Sequence, residues 1–268
     1  MHEEDGLRAA GYAAIAGLDE VGRGPIAGPV FAGAAILSPA ISGDWVPLVR
    51  DSKQLTAKQR ETVLPMLSEA AVAMATGSAS PEEIDRLGIV PAVRLAMMRA
   101  LAGLAVAPDY LLLDAFPLPD SNLPQRSIIK GDALCTSIAA ASIAAKVARD
   151  HVMRDLDEEF PGYGFAGHKG YGSAAHMAAL DDLGPCEVHR ITFAPVRAKA
   201  QAAGIFADRL TRLNVPKEPE SDVRVIEKPL PEMQPGLPGF ESSGVREFER
   251  PHYRGDERSR EEQIERTK

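Results

Sequence analysis

Short apolar segments that end on a carboxylate are the feature that most restricts the fold of this chain. Residues 12–19 (YAAIAGLD) end on Asp19, and residues 110–114 (YLLLD) end on Asp114. An acid at the end of a buried strand must be paired or must bind a cation, because an isolated buried charge is costly. Helical patterns separate these segments. The sequence therefore predicts an α/β fold in which strands deliver acids to one edge of a sheet.

The other periodic segments predict how strands and helices alternate. We expect the second strand to pair antiparallel with the first, because a short connection joins them. Ser80-Pro81 has the residue types that begin a helix. We predict a mixed sheet flanked by helices in one domain spanning 10–213, with further strands at 29–37, within 70–79 and at 125–130, and helices from Ser80, over 89–104, over 136–158 and over 173–183.

The chain changes character after residue 213. Residues 214–268 contain 13 Asp and Glu, 10 Lys and Arg and 7 Pro, and their apolar residues follow no helical or alternating period. Such a composition buries too little surface to offset the entropy lost on ordering. We predict a disordered C-terminal tail over 214–268, with a short helix possible at its charged end.

Composition excludes several classes of protein. No apolar stretch approaches the roughly 18 residues of a membrane span. The N-terminal residues are acidic where a secretory signal would be basic and then apolar, so a cytoplasmic location is expected. Cys135 and Cys186 lack metal-binding spacing and are predicted to be reduced thiols. The overall net charge of -8 argues against nucleic-acid binding, because phosphates favour a basic surface. A local basic patch, or a cation bound to the carboxylates, would offset this charge.

Four acids stand where strands end or helices begin. Glu20 follows Asp19 directly, Asp114 closes the second apolar segment, and Asp132 lies in a turn before an Ala-rich helix. Taken alone, Asp132 fits a helix N-cap at least as well as a metal ligand. Taken together, the acids suit hard divalent cations. Two such ions about 4 Å apart can activate water and stabilise the leaving oxygen of a phosphodiester, which predicts in-line hydrolysis of a nucleic-acid backbone.

Several motifs, in this order, resemble the type 2 ribonuclease H family, ribonuclease HII. The resemblance covers most of 13–197. The motifs are Gly17–Pro25 (GLDEVGRGP), Asp51–Leu55 (DSKQL), Leu113–Asp114, Lys130–Asp132 (KGD), Ser137–Asp150, His168–Gly172 (HKGYG) and His189–Val196.

The resemblance implies a ribonuclease H-like fold and an endonuclease. Its substrates would be the RNA strand of RNA–DNA hybrids and single ribonucleotides embedded in duplex DNA, cut on their 5′ side to leave a 5′-phosphate and a 3′-hydroxyl. The cofactor would be Mg²⁺ or Mn²⁺, and we expect a monomer. The family's acidic residues fall on Asp19, Glu20, Asp114 and Asp132, which would be both catalytic residues and metal ligands.

The resemblance also implies a ribonucleotide-reading site. It would consist of Gly22-Arg23-Gly24 and Tyr171. Glycines let the backbone approach a sugar closely, and the 2′-hydroxyl distinguishes RNA from DNA; an ordinary half-buried tyrosine is the alternative for Tyr171. Phosphate contacts are predicted for a further set, each of whose members could equally be solvated surface: Ser52, Lys53, Lys146, Lys169 and Arg190. Arg149 and Asp150 are expected to be helix-surface charges or an ion pair.

Two rival functions remain open at this point. One is a related nuclease of the same fold, such as ribonuclease HIII or a junction-cleaving enzyme, although only about a dozen residues precede the first predicted strand here. The other is a nucleic-acid binding module that has lost the chemistry. The intact set of acids argues against it, since carboxylates repel phosphates unless a metal is present. A phosphate-loop enzyme is excluded because GxxxxGK[ST] does not occur.

Overall fold

The computed structural model describes residues 2–42, 45–49 and 55–211. Within these residues one five-stranded sheet forms from β1 (Ile15–Val21), β2 (Val30–Leu37), β3 (Ala71–Ala79), β4 (Tyr110–Asp114) and β5 (Gln125–Ile128), in the order β3-β2-β1-β4-β5. Strands β1, β2 and β3 are antiparallel neighbours, whereas β4 runs parallel to β1 and β5 runs parallel to β4. The predicted mixed sheet is confirmed. The predictions for Ser52, Lys53 and the 214–268 tail lie outside the described residues.

Helices flank the sheet as predicted, and short helices complete the fold. The capping box of Ser80 and Glu83 begins its helix at the predicted place. No helix in the described ranges has the length and apolar character needed to cross a membrane. The helices are α1 (His2–Ala9), α2 (Val46–Val49), α3 (Ala57–Ala70), α4 (Pro81–Leu87), α5 (Ile89–Ala102), α6 (Gly131–Leu134), α7 (Thr136–Glu159), α8 (Phe165–His168), α9 (Ala174–Leu183), α10 (Ala194–Ala203) and α11 (Ala207–Thr211).

Helices α5 and α7 cover opposite faces of the sheet. Leu18 of β1 belongs to the apolar cluster that includes Met97 of α5. Successive strand residues alternate in face, so Gly17 lies against α7, where a Cβ would be 2.2 Å from the Ser137 carbonyl carbon. Gly33 of β2 is similarly close to α7. Glycine on this face therefore lets the backbone of α7 rest directly on the central strands.

The register of the central strands brings two of the predicted acids side by side. Leu18 of β1 and Leu113 of β4 are direct partners in a parallel pair. The next residues, Asp19 and Asp114, therefore stand side by side where the pairing of β1 with β4 ends, while each stays paired with its other neighbouring strand. This is the carboxyl edge, at which open α/β sheets place their sites.

Helix α1 belongs to the folded unit, which thus begins before the predicted boundary at residue 10. Glu4 is 3% exposed, and its Oε1 accepts hydrogen bonds from the Ser137 amide at 3.0 Å and the Ser137 hydroxyl at 2.9 Å. Helix α7 has no side-chain cap of its own. Although burial opposes ionisation, the bonds from Ser137 lower the pKa of Glu4. A charged glutamate from a distant segment therefore caps the helix that carries one wall of the site.

Glu4→Ala is expected to lower the free energy of unfolding by about 2–3 kcal/mol, because it leaves buried donors of α7 without their charged acceptor. Urea unfolding at neutral pH measures this. Glu3→Ala is the matched control, since Glu3 pairs with Arg126 at the surface, and loss of an exposed pair costs less than about 1 kcal/mol. Equal losses in the two variants would show that Glu4 is no cap.

Candidate active site

A cleft of about 400 Å³ opens at the carboxyl edge of β1 and β4. It brings together three of the four predicted acids, and β1, α3 and α7 contribute the other side chains. The lining residues are Asp19, Glu20, Val21, Arg60, Asp114, Ser142, Ile143 and Lys146.

Asp19 is held in a defined orientation. Its side chain is almost fully buried, its Oδ1 accepts the Glu20 amide at 2.8 Å, and it is hydrogen-bonded to the Ser142 side chain. Ser142 was not singled out from the sequence. The signal was available, because Ser142 and Lys146 are four residues apart on α7 and share one helix face.

Two of the three acids, Asp19 and Glu20, have raised pKa values. Burial, together with the charges of Glu20 and Asp114, raises the pKa of Asp19 to about 7, although the bond from Ser142 opposes the shift. Burial also raises the pKa of Glu20, against the opposing effect of Arg23. The cleft therefore holds more negative charge than its protein surroundings neutralise, which is the condition that a bound cation relieves.

The residues of the cleft fit a hard divalent cation in their chemistry. All the acidic donors are carboxylate oxygens, and Glu20 Oε2 is buried without a hydrogen-bond partner among the residues that the structure describes. The side chains are not, however, gathered around one point. Within the described ranges, no group of three or more His, Cys, Asp or Glu side chains has the arrangement of a metal site.

Asp132 is the one predicted acid that does not line the cleft. It is buried at the second position of α6. The alternative that it is the N-cap of the Ala-rich helix is wrong, because Cys135 is the N-cap residue of α7 and Asp132 lies within α6. The link to the site runs through its neighbour, since the Gly131 amide donates to Asp114 Oδ1 at 2.9 Å.

The loop after β1 rests on two buried arginines. Arg190 is fully buried and donates to the carbonyl oxygens of Gly22 at 2.6 Å and Arg23 at 2.9 Å. Arg149, also fully buried, donates from Nε to the carbonyl oxygen of Pro29 at 2.9 Å. Burial, with the nearby charge of Arg149, lowers the pKa of Arg190 to about 9. Together the two guanidinium groups hold the loop from beneath.

Two predictions from the sequence are therefore wrong. Arg190 cannot reach a phosphate from its buried place, and Arg149 is not a surface charge. The expected ion pair of Asp150 is instead made with Lys146, at 2.5 Å. The loop requires glycine at position 22 for two reasons. The φ angle of Gly22 is +95°, and a Cβ at this position would lie 2.3 Å from Arg149 Nε.

Arg23 connects the loop to the cleft. Its Nη1 lies 3.2 Å from Glu20 Oε1, and its guanidinium carbon lies 4.4 Å from the centre of the Phe116 ring. Phe116 is an exposed aromatic residue two positions after Asp114 and was also missed in the sequence. Arg23, three residues after Glu20 in the chain, is thus in direct contact with that acid.

Tyr171 completes this side of the site. Its side chain is 50% exposed, and its Cε1 lies 3.6 Å from the position of a Cβ on Gly24. The half-exposed ring thus lies beside the glycine loop, and its role at the sugar stays a prediction. Lys169 donates to the Ala166 carbonyl oxygen at 2.7 Å and Lys146 lines the cleft. Their phosphate contacts, like those of Ser52 and Lys53, stay predictions.

Comparison with known proteins identifies the family. The family model described as ribonuclease HII matches residues 16–196. Ribonuclease HII of Dehalococcoides mccartyi strain BAV1 is 52% identical over 195 residues, which is 73% of this chain and 92% of the relative. That of Desulfitobacterium hafniense strain Y51 is 51% identical over 197 residues, 74% of this chain and 75% of the relative.

A solved structure shows the same fold. The ribonuclease H2 of Pyrococcus horikoshii OT3 superposes with a TM-score of 0.58 and 26% identity, covering 71% of this chain and 98% of that chain. Fold and cleft define a hydrolase with the ribonuclease H architecture. The chain belongs to the ribonuclease HII family. It is accordingly a ribonuclease H, an endoribonuclease acting on RNA–DNA hybrids, and this decides against the rival of a binding module without chemistry.

Proposed function

We propose that this ribonuclease also cuts duplex DNA on the 5′ side of a single embedded ribonucleotide, and that it does so with Mg²⁺ or Mn²⁺ held by Asp19, Glu20 and Asp114, with Asp132 completing the set. The observation that carries the proposal is the contact between cleft and loop: Arg23 of the Gly22–Gly24 loop is ion-paired with Glu20. The groups that recognise the sugar thereby adjoin the groups that serve the phosphodiester.

The residues of the cleft divide the chemical work. When bound, the divalent ions lower the pKa of the attacking water and stabilise the charge on the leaving oxygen. Asp19, fixed by Ser142 and the Glu20 amide, keeps its carboxylate directed into the cleft. Lys146 and Arg60, both also paired with Asp150, contribute positive charge to the lining of the cleft that favours a phosphate.

The position of the cut determines the nucleophile. On the 5′ side of a lone ribonucleotide, the phosphate follows a deoxyribose, which has no 2′-hydroxyl to attack it. Water must therefore attack, and the products are a 3′-hydroxyl on the DNA and a 5′-phosphate on the ribonucleotide. The 2′-hydroxyl serves recognition alone, which suits a site where glycine backbone and the Tyr171 ring meet the sugar.

Cleavage of three labelled duplexes tests the proposal: DNA with one ribonucleotide, an RNA–DNA hybrid, and DNA alone. We expect one cut 5′ of the ribonucleotide, several cuts in the hybrid and none in DNA, with Mg²⁺ or Mn²⁺ but not with EDTA. Tyr171→Ala should impair the single-ribonucleotide cut more than the matched variant Tyr171→Phe, which keeps the ring. If only the hybrid is cut, the proposed role of Gly22–Gly24 and Tyr171 is wrong.

A further inference from the structure

Three histidines pack beneath the loop that carries Tyr171, and the proposed cleavage uses none of them. His176 and His189 are fully buried. The rings of His168 and His176 are stacked, with centroids 4.2 Å apart and planes 10° from parallel. Buried imidazoles need a partner for each ring nitrogen, so the hydrogen bonds that they make show what the cluster does.

The hydrogen bonds permit one consistent arrangement of protons. His176 Nδ1 lies 2.9 Å from the Tyr171 carbonyl oxygen, which can only accept, so Nδ1 carries the proton. In a neutral ring Nε2 then accepts. Its partner at 3.1 Å is His189 Nε2, which must donate, and His189 Nδ1 in turn accepts the Cys186 amide at 3.0 Å. We refer to this series from Cys186 to Tyr171 as the histidine relay.

His168 fixes the other side of the same loop. Its Nε2 lies 2.7 Å from the Tyr163 carbonyl oxygen, its Nδ1 accepts the Gly170 amide at 3.1 Å, and its own carbonyl oxygen accepts the Tyr171 amide at 3.0 Å. The amide and the carbonyl group of Tyr171 are thus both held, while its ring stays half exposed beside Gly24. This is a fixed backbone that presents a free side chain.

Other functions of the cluster are disfavoured. A metal site is disfavoured because the Nε2 atoms of His176 and His189 are hydrogen-bonded to each other. In the part of the chain that the structure describes, no group of three or more His, Cys, Asp or Glu side chains has the arrangement of a metal site. A proton switch near neutral pH is also disfavoured, because burial lowers the pKa of His176 and lowers that of His189 to about 3. Both rings therefore stay neutral, as the relay requires.

We propose that His176, supported by His168 and His189, is a positioning residue that sets the specificity for the ribonucleotide by holding the backbone of Tyr171. The proposal rests on the proposed function of Tyr171 at the sugar. A ring that must pack on one sugar beside the cut gains from a backbone that does not have to be ordered on binding. His176 acts through Tyr171 and touches no substrate.

A double-mutant cycle tests whether His176 acts through Tyr171. His176→Leu removes the donor at similar volume, whereas an amide in His176→Asn can still donate to the Tyr171 carbonyl oxygen. We expect kcat/KM for the single-ribonucleotide duplex to fall about tenfold in H176L, as for loss of one hydrogen bond, and to be largely restored in H176N. In the Tyr171→Ala background, H176L should have no further effect. An equal tenfold loss there would overturn the proposal.

Hydrogen exchange gives a readout that does not depend on activity. In H176L the amides of residues 170–173 should exchange faster than in the wild type, with unchanged exchange in the central strands. Unchanged exchange at 170–173 would also overturn the proposal. If H176L does not fold, His176→Phe keeps a flat ring on His168 without the donor. If the wild type does not cut at the ribonucleotide, the proposed function is wrong. If the wild type does cut there but the effects of H176L and Tyr171→Ala are additive, only the proposed role of His176 is wrong.

Discussion

Asp114→Asn is expected to lower kcat by about a thousandfold or more on every ribonucleotide-containing substrate, while the protein stays folded. A bound divalent ion contributes several kcal/mol of transition-state stabilisation, which is lost when a carboxylate that binds the ion is removed. Each 1.36 kcal/mol lost lowers the rate about tenfold. Folding should survive because an asparagine Oδ1 can still accept the Gly131 amide that Asp114 now accepts at 2.9 Å. Steady-state cleavage with Mg²⁺ and with Mn²⁺ measures the loss.

The same variant should change the neighbouring acids in a predictable direction. Burial is the main cause of the raised pKa values of Asp19 and Glu20, and the charge of Asp114 adds to both. Removing that charge should lower both pKa values, which a carboxyl-carbon NMR titration records. It should leave the free energy of unfolding unchanged or raise it, because the repulsion between the acids falls.

Asp109→Asn is the matched control for this experiment. Asp109 stands just before β4, at the end opposite to Asp114, and accepts the amides of Ala13 and Ala14. It touches no residue of the cleft that the structure describes, so its substitution should leave kcat near the wild-type value. Near-normal turnover in Asp114→Asn itself would contradict the assignment of the cleft as the metal-dependent site.

The central part of the site could be predicted because it follows from strand order. Apolar strands that end on Asp19 and Asp114 place those acids at one edge as soon as the strands are neighbours, and the parallel pairing of Leu18 with Leu113 achieves this. Glu20 is carried along as the next residue. Local sequence thus determines which acids follow the apolar strand residues, and the pairing of β1 with β4 determines that these acids stand side by side.

The misplaced residues are charged groups whose role is purely tertiary. Arginine is rarely buried, so a sequence pattern favours the surface for Arg149 and Arg190. Their burial arises because the irregular loop after β1 turns its carbonyl groups inward, and those groups need donors. Glu4 is the converse case, an acid brought to the start of α7 from over a hundred residues away. The periodicity of the local sequence does not indicate such long-range hydrogen bonds.

Asp132 shows the limit of arguing from chain position. A short acid before an Ala-rich helix has the residue type of an N-cap, yet Lys130 with φ of +58° begins α6. The Ala-rich helix α7 begins at Thr136 after the N-cap residue Cys135, and Asp132 is buried within the preceding short helix α6. The resemblance to ribonuclease HII ranks Asp132 with the other acids, and that role stays a prediction.

Gly33→Ala is expected to destabilise the fold strongly. Gly33 is the register partner of Asp19, and a Cβ at this position would lie 2.0 Å from the Ala141 carbonyl oxygen and 2.7 Å from its carbon. These are backbone atoms of α7, so no side chain can rotate away and the helix must move off the sheet. We expect a loss of about 3 kcal/mol or more in the free energy of unfolding, measured by urea unfolding.

Activity should fall in the same variant for a separate reason. Ser142 follows Ala141 directly and bonds to Asp19, so displacement of α7 withdraws both Ser142 and Lys146 from the cleft. Gly6→Ala is the control: Gly6 lies in α1 with no atom within 4 Å of a new Cβ, and alanine should stabilise that helix by about 0.5–1 kcal/mol. If Gly33→Ala were as stable and active as Gly6→Ala, then α7 could not rest on β2 at the distance that brings Ser142 to Asp19.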